Sequence, residues 1–145
     1  MVSGWLGGAA HAPSLEVPVL NDPQRIEAGL RSYHAMCKTC HSAPGRQPST
    51  IQQGLNPKPP KLDSERVQNR RDEELYWVIK NGIRMTGMPA FGKTHQDEAL
   101  WSIVAFVRQL PHLQGKDYAA MVQAAGLQTN RSTLTLNITT STHYS

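Results

Sequence analysis

Four stretches of the chain repeat hydrophobic residues every three or four positions, which is the spacing of an amphipathic helix. The clearest is the third, where Leu100, Ile103, Val104 and Val107 form one apolar face. No window of about 18 apolar residues occurs, so the given sequence predicts no membrane-spanning helix. The pattern predicts an all-α fold from these segments: residues 21–37, 71–82, 94–111 and 115–126.

The ends of these segments carry residues that start and stop helices. Asn21 or Asp22 caps the first helix, and Pro23 suits its first turn. Thr94 caps the third, with Asp97 three positions on. Further signals are the acidic first turn of the second helix and the residues that stop the second, third and fourth, Gly82, Pro111 and Gly126.

Two features predict how the helices pack. Gly29 lies inside the first helix, where glycine costs about 1 kcal/mol relative to alanine, so we expect another helix to approach it closely. In the fourth helix, Tyr118, Met121 and Val122 recur at core spacing. Residues 43–62, with five prolines and two glycines, are predicted to be a loop.

The two ends of the chain differ from its helical middle. Residues 128–145 are rich in threonine and alternate apolar with polar positions, as a strand does. A disordered tail is one interpretation; pairing with residues 14–20 or with a neighbouring subunit is the other. Residues 1–21 form an N-terminal tail in which Ala10-His11-Ala12 resembles a cleavage site, the remnant of an export signal or anchor. An ordinary N-terminus is the alternative.

The net charge is only mildly basic, +4 with a pI near 9.3. Lysines and arginines are scattered rather than clustered, which is typical of a solvated surface; a docking surface for acidic partners is the alternative. No basic stripe with interleaved aromatic residues occurs, so the composition argues against nucleic-acid binding.

The two cysteines, Cys37 and Cys40, are followed at once by His41. Two cysteines cannot complete a structural zinc site, and His41 is too close for zinc-finger spacing. A thioredoxin-like pair would follow a strand in a βαβ unit, whereas a helix precedes this pair. C-x-x-C-H is instead the attachment signature of c-type haem, in which both thiols become thioethers and the imidazole binds iron.

Such a haem needs a second axial ligand, and Met88 is the best candidate. It lies in a Gly-Met-Pro turn, between Gly87 and Pro89, where it cannot belong to a helix stripe. A thioether is a soft ligand, and His/Met ligation raises the haem potential. Met85 is the rival; bis-histidine ligation is a further alternative, through His11, His34, His95 or His112.

Four motifs in this order resemble a class I c-type cytochrome: MCKTCH, GLNPKPPKL, ELYWVIKNGIRMTGMPAFG and LWSIVAFVRQLP. The resemblance covers residues 22–111 and is closest to small monohaem cytochromes of the bacterial periplasm. It implies an all-α class I fold of four to five helices around one haem, with the domain at residues 22–127. The first and third helices would cross near Gly29, Tyr33 and Trp101.

The resemblance also implies site roles. Cys37 and Cys40 would bind one haem c covalently, and His41 and Met88 would be its axial ligands. A proline carbonyl of NPKPP, taken as that of Pro60, would accept the second imidazole proton. Trp77 and Arg84 are candidates to bind the haem propionates, with ordinary surface or core packing as the alternative. An apolar crevice is expected from Leu55, Leu62, Ile79, Ile83 and Phe91.

The resulting functional prediction is an electron carrier between redox protein partners, exported to the periplasm or the cell exterior, and not an enzyme in itself. The alternatives are a haem subunit of a larger oxidoreductase, a polymeric conductive assembly joined or anchored through the tails, and a sensor or enzyme with a labile Met88.

Overall fold

The computed structural model describes residues 14–128, and every regular element in that range is helical, as predicted. The elements are α1 (Pro23–Ser32), the π-turn (Tyr33–Cys37), α2 (Lys38–His41), α3 (Thr50–Gly54), α4 (Glu65–Gln68), α5 (Asp72–Asn81), a 3-10 turn (Phe91–Lys93), α6 (Asp97–Gln109), a second 3-10 turn (Leu110–His112) and α7 (Gly115–Ala124). Helix α1 leads through the π-turn directly into α2, and the two single-turn helices α3 and α4 precede α5.

Helices α1 and α6 cross at Gly29, as the glycine predicts. A Cβ added to Gly29 would lie 1.9 Å from the carbonyl oxygen of Ser102 and 2.8 Å from the Cβ of Phe106. The ring of Tyr33 lies 5.0 Å from that of Phe106, between centroids. Only a residue without a side chain lets the two backbones approach this closely.

Helix α6 forms the centre of the core. The predicted apolar face is confirmed, since Leu100, Ile103, Val104 and Val107 are all buried. Trp101, expected near the crossing, is turned to the α5 side. Its ring stacks on that of Tyr76, with 4.3 Å between centroids.

Helix α7 closes the core against α1. Tyr118 and Val122 are buried and Met121 packs partly against them, as predicted. The rings of Tyr33 and Tyr118 lie 6.4 Å apart. The helix ends at Ala124, and Gly126 follows with a positive φ of 69°.

The N-terminus of α1 agrees with one of the two predicted caps, whereas that of α6 differs from the prediction. Asp22, not Asn21, caps α1, with its carboxylate accepting from the Arg25 N–H at 3.0 Å. Thr94 was the wrong cap for α6, which begins at Asp97 with Gln96 in the capping position. The carboxylate of Asp97 accepts from the hydroxyl of Tyr76 instead, so it is engaged in a contact between α5 and α6.

The segment 43–62, which its proline and glycine content predicted to be a loop, contains the short helix α3. Ser49 caps α3, its hydroxyl accepting from the Gln52 N–H at 3.0 Å. The prolines of this segment lie outside the helix, at positions where they do not interrupt it. Helix α4 was also missed, because four residues are too few for a helical period.

The proposed boundaries of the domain, at residues 22 and 127, remain predictions. Leu15, Val17 and Leu20, from the segment assigned to the N-terminal tail, pack against the core without regular secondary structure. The cleavage-site candidate and the threonine-rich segment, with its predicted strand, lie outside the described residues. Over residues 14–128, none of the helices is both long and apolar enough to cross a bilayer.

Candidate functional site

A central cavity of about 870 Å³ opens between the cysteine-bearing turn, the segment 51–67, α5, α6 and the turn after α5. This volume is within the roughly 300–1,000 Å³ typical of sites for small molecules and cofactors. Its walls are mainly apolar side chains from all of these elements, including Leu75, Val78, Ile79, Ile103 and Val107.

The structure brings nearly all the residues singled out in the sequence to this one cavity. Among its lining are the ones predicted to bind the haem: Cys37, Cys40, His41, Leu55, Pro60, Leu62, Ile79, Ile83, Arg84, Met88 and Phe91. Trp77 is not part of the lining. It is half-buried on α5, where its carbonyl accepts from the Asn81 side-chain amide at 3.0 Å.

The cysteine-bearing helix is held by the chain that follows it. Ser42 turns the backbone with a positive φ of 64°, and its carbonyl accepts from the Tyr33 hydroxyl at 2.6 Å. The Ser42 hydroxyl donates to the buried side chain of Gln52, and the Ser49 hydroxyl donates to the Thr39 carbonyl. These bonds fix the position of the C-x-x-C-H segment relative to the start of the π-turn and to α3.

His41 has one ring nitrogen engaged by the protein. Its Nδ1–H donates to the carbonyl of Pro60 at 2.9 Å, which is the contact that the resemblance implied. Burial lowers the pKa of His41, with the Pro60 bond acting in the opposite direction. The imidazole is therefore neutral near pH 7, with Nε2 as the nitrogen available to a metal.

Cys37 does not have the electrostatics of a redox-active thiol. Burial raises the pKa of Cys37 to about 12, and the neighbouring Cys40 adds to the increase. Catalytic C-x-x-C pairs instead have a lowered pKa, which makes the thiolate available. Over residues 14–128, no group of three or more His, Cys, Asp or Glu side chains is placed to hold a metal ion, so a zinc site finds no support either.

Met88 lies in a turn fixed by two hydrogen bonds of one threonine. The Thr86 hydroxyl donates to the Ile83 carbonyl at 2.8 Å and accepts from the Met88 N–H at 3.2 Å. The backbone of Gly82 passes so close that an added Cβ would lie 2.7 Å from the Met88 carbonyl oxygen. At Gly87, an added Cβ would lie 2.7 Å from a methyl of Leu55.

The rival ligands are less well placed. Met85 lines the cavity but is 96% exposed, at a positive φ of 58°. His34, His95 and His112 do not line the cavity, and His11 lies outside the described residues.

The donors on the cavity wall are chemically suited to a haem. Two thiols, at the end of the π-turn and in α2, line the same apolar space as an oriented neutral imidazole and a thioether. Imidazole and thioether are the axial pair used by cytochromes c, and an apolar shell is what a porphyrin ring requires.

Three residues that support the site, Ser42, Gln52 and Thr86, were not predicted from the sequence. The role of Thr86 could have been predicted, because a threonine hydroxyl in a turn commonly accepts a hydrogen bond from the backbone N–H two residues later. No local pattern in the sequence indicated the roles of Gln52 and Ser42. Their bond joins positions ten residues apart, across a segment predicted to be a loop.

A comparison with protein families matches residues 24–107 to the family described as "Cytochrome C oxidase, cbb3-type, subunit III". The matched range begins in α1 and ends in α6, and it contains the whole cavity lining. Among curated proteins, the comparison finds no match.

Among solved structures, the fold is similar to a chain of the Kuenenia stuttgartiensis reducing HAO-like protein complex Kustc0457/Kustc0458. The TM-score is 0.56 and the sequences are 24% identical over 68% of this chain and 50% of the other. The present chain thus accounts for half of that structure's chain, and the likeness concerns the fold.

Proposed function

Because this chain belongs to the cbb3-type subunit III family of class I c-type cytochromes, whose function is haem-based electron transfer, we propose that it carries single electrons through one haem c in the central cavity. The haem would be attached through Cys37 and Cys40, with His41 and Met88 as axial ligands. The observation that carries the proposal is that these four side chains line the same apolar cavity.

A haem held by these residues would supply the redox chemistry, a one-electron Fe(II)/Fe(III) couple. The protein contributes position and environment. The Pro60 carbonyl orients the His41 ring, and Thr86 holds the Met88 backbone. The apolar wall limits the access of water, which favours the less charged ferrous state, and a thioether ligand raises the potential further.

The mouth of the cavity has features expected of a docking surface for a redox partner. Ile51 and Met85 are exposed there. Three cationic side chains, Lys58, Arg66 and Arg84, are also part of the lining, and no acidic residue is found among the described lining residues. We therefore propose a partner with an acidic surface around its own redox centre. Arg84 would also be placed to bind a haem propionate; Trp77, outside the lining, is the weaker candidate.

A second candidate function is that of a fixed haem subunit in a larger oxidoreductase. The description of the matching family, an oxidase subunit, favours it. The two candidates share the same chemistry and differ in whether the partner dissociates. Both place the protein outside the cytoplasm, in the periplasm or beyond, since haem c is attached after export. Assembly or membrane anchoring through the tails depends on residues outside the described range.

Replacing the proposed sixth ligand tests the site directly. We expect Met88→Ala holoprotein to keep its haem through denaturation, because the attachment does not depend on Met88. The ferric protein should lose the weak long-wavelength band of thioether ligation, and the ferrous protein should bind carbon monoxide. The reduction potential should fall by on the order of 0.1 V, part of the roughly 0.8 V that axial ligands span.

Met85→Ala is the matched control, since it removes the other thioether of the same turn and should leave all these spectra unchanged. Unchanged spectra in Met88→Ala would show that Met88 is not the ligand. Carbon monoxide binding by the unmodified ferrous protein would instead favour a sensor or enzyme.

A further inference from the structure

A second cavity, of about 220 Å³, lies on the other side of the cysteine-bearing helix and shares no lining residue with the central cavity. Its polar walls come from four parts of the chain: His34 in the π-turn, Lys38 in α2, Arg46 in the following turn and Tyr118 in α7. The remaining lining consists of small or aliphatic residues. We call it the basic cavity. No acidic side chain is found among its described lining residues.

The hydrogen bonds around His34 leave Lys38 short of acceptors. The Tyr118 hydroxyl lies 2.8 Å from His34 Nδ1. His34 Nε2 lies 2.9 Å from the Gln128 carbonyl oxygen and 3.1 Å from Lys38 Nζ. A carbonyl only accepts and an ammonium only donates, so the one nitrogen can satisfy one of them and not both. In either tautomer at least two of the three ammonium N–H groups lack an acceptor among these groups.

The charges of the basic cavity are also uncompensated. Neither Lys38 nor Arg46 forms an ion pair with an acidic side chain within residues 14–128. Burial lowers the pKa of Lys38, and the nearby Arg46 lowers it further. Two cations that repel each other over a half-enclosed space form an arrangement that an anion would stabilise.

We propose that the basic cavity binds a small oxyanion of the phosphate type. Lys38 and Arg46 would supply charge and N–H donors, and the Tyr118 hydroxyl would supply a further polar contact. Tetrahedral oxyanions offer several acceptor oxygens, which matches donors that converge from separate elements. The cavity is too small for a nucleotide and has room for a single such ion with its remaining water.

Lys38 lies between the two cysteines, so an anion beside it is also close to the proposed haem attachment. A negative charge there favours the ferric state and should lower the reduction potential. This consequence rests on the proposed function, whereas the binding site does not.

Calorimetric titration of the holoprotein with inorganic phosphate, at low ionic strength, tests the site. We expect saturable binding of one phosphate per chain. The double variant K38Q/R46Q should weaken it by about tenfold or more, which corresponds to a loss of at least about 1.4 kcal/mol from the two charge-assisted contacts together. The control R71Q/K93Q makes the same change in net charge at two residues that line neither cavity, and should bind within about twofold of the unmodified protein.

Absence of saturable binding, or an equal loss in the control variant, would overturn the site. The second measurement is the reduction potential with and without phosphate, which should fall in the unmodified protein and not in K38Q/R46Q. A purified chain that carried no haem would refute the proposed function while leaving the phosphate titration interpretable. A haem protein that binds no phosphate would refute only the basic cavity.

Discussion

At the scale of single residues, the candidate site depends on short hydrogen bonds that place the two proposed ligands. Pro60 holds the ring of His41, and Thr86 holds the turn that carries Met88. The two contacts differ in kind, because Pro60 uses its backbone and cannot be removed by changing a side chain. Thr86 is therefore the residue at which ligand positioning can be tested.

Replacing Thr86 with valine keeps its shape and removes both hydrogen bonds of its hydroxyl. We expect Thr86→Val to weaken the Met88 turn by about 1 kcal/mol for the lost bonds. The fraction of ferric protein with a dissociated thioether should then rise by about fivefold, measured through the long-wavelength band as the pH or temperature is raised. Thr94→Val is the control, since that hydroxyl bonds Phe91 and His95, outside the Met88 turn. Equal behaviour of both variants would contradict the positioning role.

At the scale of elements, the fold is organised by the crossing of α1 and α6 and by the contacts of α6 with α5. The crossing was predictable from Gly29. The bonds that join α6 to the start of α5 and to the end of α4 were not predictable. Arg108 donates through Nε to the Asp72 carboxylate at 2.7 Å and through a guanidinium N–H to the Gln68 carbonyl at 2.7 Å. Contacts between residues more than 30 positions apart leave no periodic trace in the sequence.

Adding one methyl group at the crossing should destabilise the domain strongly. In Gly29→Ala the new Cβ would meet the Ser102 carbonyl oxygen at 1.9 Å, so α1 and α6 must move apart. We expect the free energy of unfolding to fall by about 3 kcal/mol, at the upper end of the effects of overpacking. Urea denaturation would measure this change.

Gly54→Ala is the matched control for this change. An added Cβ at Gly54 has no neighbour within 4 Å, so the substitution should be neutral or stabilise by up to about 1 kcal/mol. A Gly29→Ala protein as stable as Gly54→Ala would show that the helices do not cross as closely as described.

At the scale of the whole molecule, two buried phenols connect stability to alkaline pH. Burial raises the pKa of Tyr118 to about 12 and raises that of Tyr33 still further. Both groups are thus neutral in the folded state at a pH where they would ionise in the unfolded chain, near 10. Their contribution to stability is complete below pH 10 and is lost as the pH rises from about 10 to 12 and above.

We therefore expect the free energy of unfolding to fall between pH 10 and 12, by up to about 1.4 kcal/mol per pH unit for each phenol. Tyr118→Phe should remove one of the two contributions and make the decline shallower. The measurement is urea denaturation across this range, together with the tyrosinate absorption of the folded protein. If these tyrosines ionise at a normal pKa in the folded protein, the expectation is wrong.

The sequence by itself determined the helical segments and the chemical character of the site, because both depend on short-range patterns of residues. Hydrophobic residues at helical spacing give α1, α5, α6 and α7, and the C-x-x-C-H and Gly-Met-Pro motifs are local. The prediction was weaker for α3 and α4, because helices of four or five residues are too short to show a hydrophobic period. It was also weaker for the start of α6, because Asp97, expected to form a capping box with Thr94, accepts a hydrogen bond from Tyr76 instead.

Only the tertiary structure decided which distant residues share a space. It brings Cys37, His41 and Met88 to one cavity and leaves Trp77 outside it, although Trp77 and the lining residue Val78 are adjacent in sequence. It also assembles the basic cavity, which unites Lys38 with Tyr118, 80 positions away. The physical reason is that such placements follow from how helices cross and how loops return, and those are set by the packing of the whole core rather than by any local pattern.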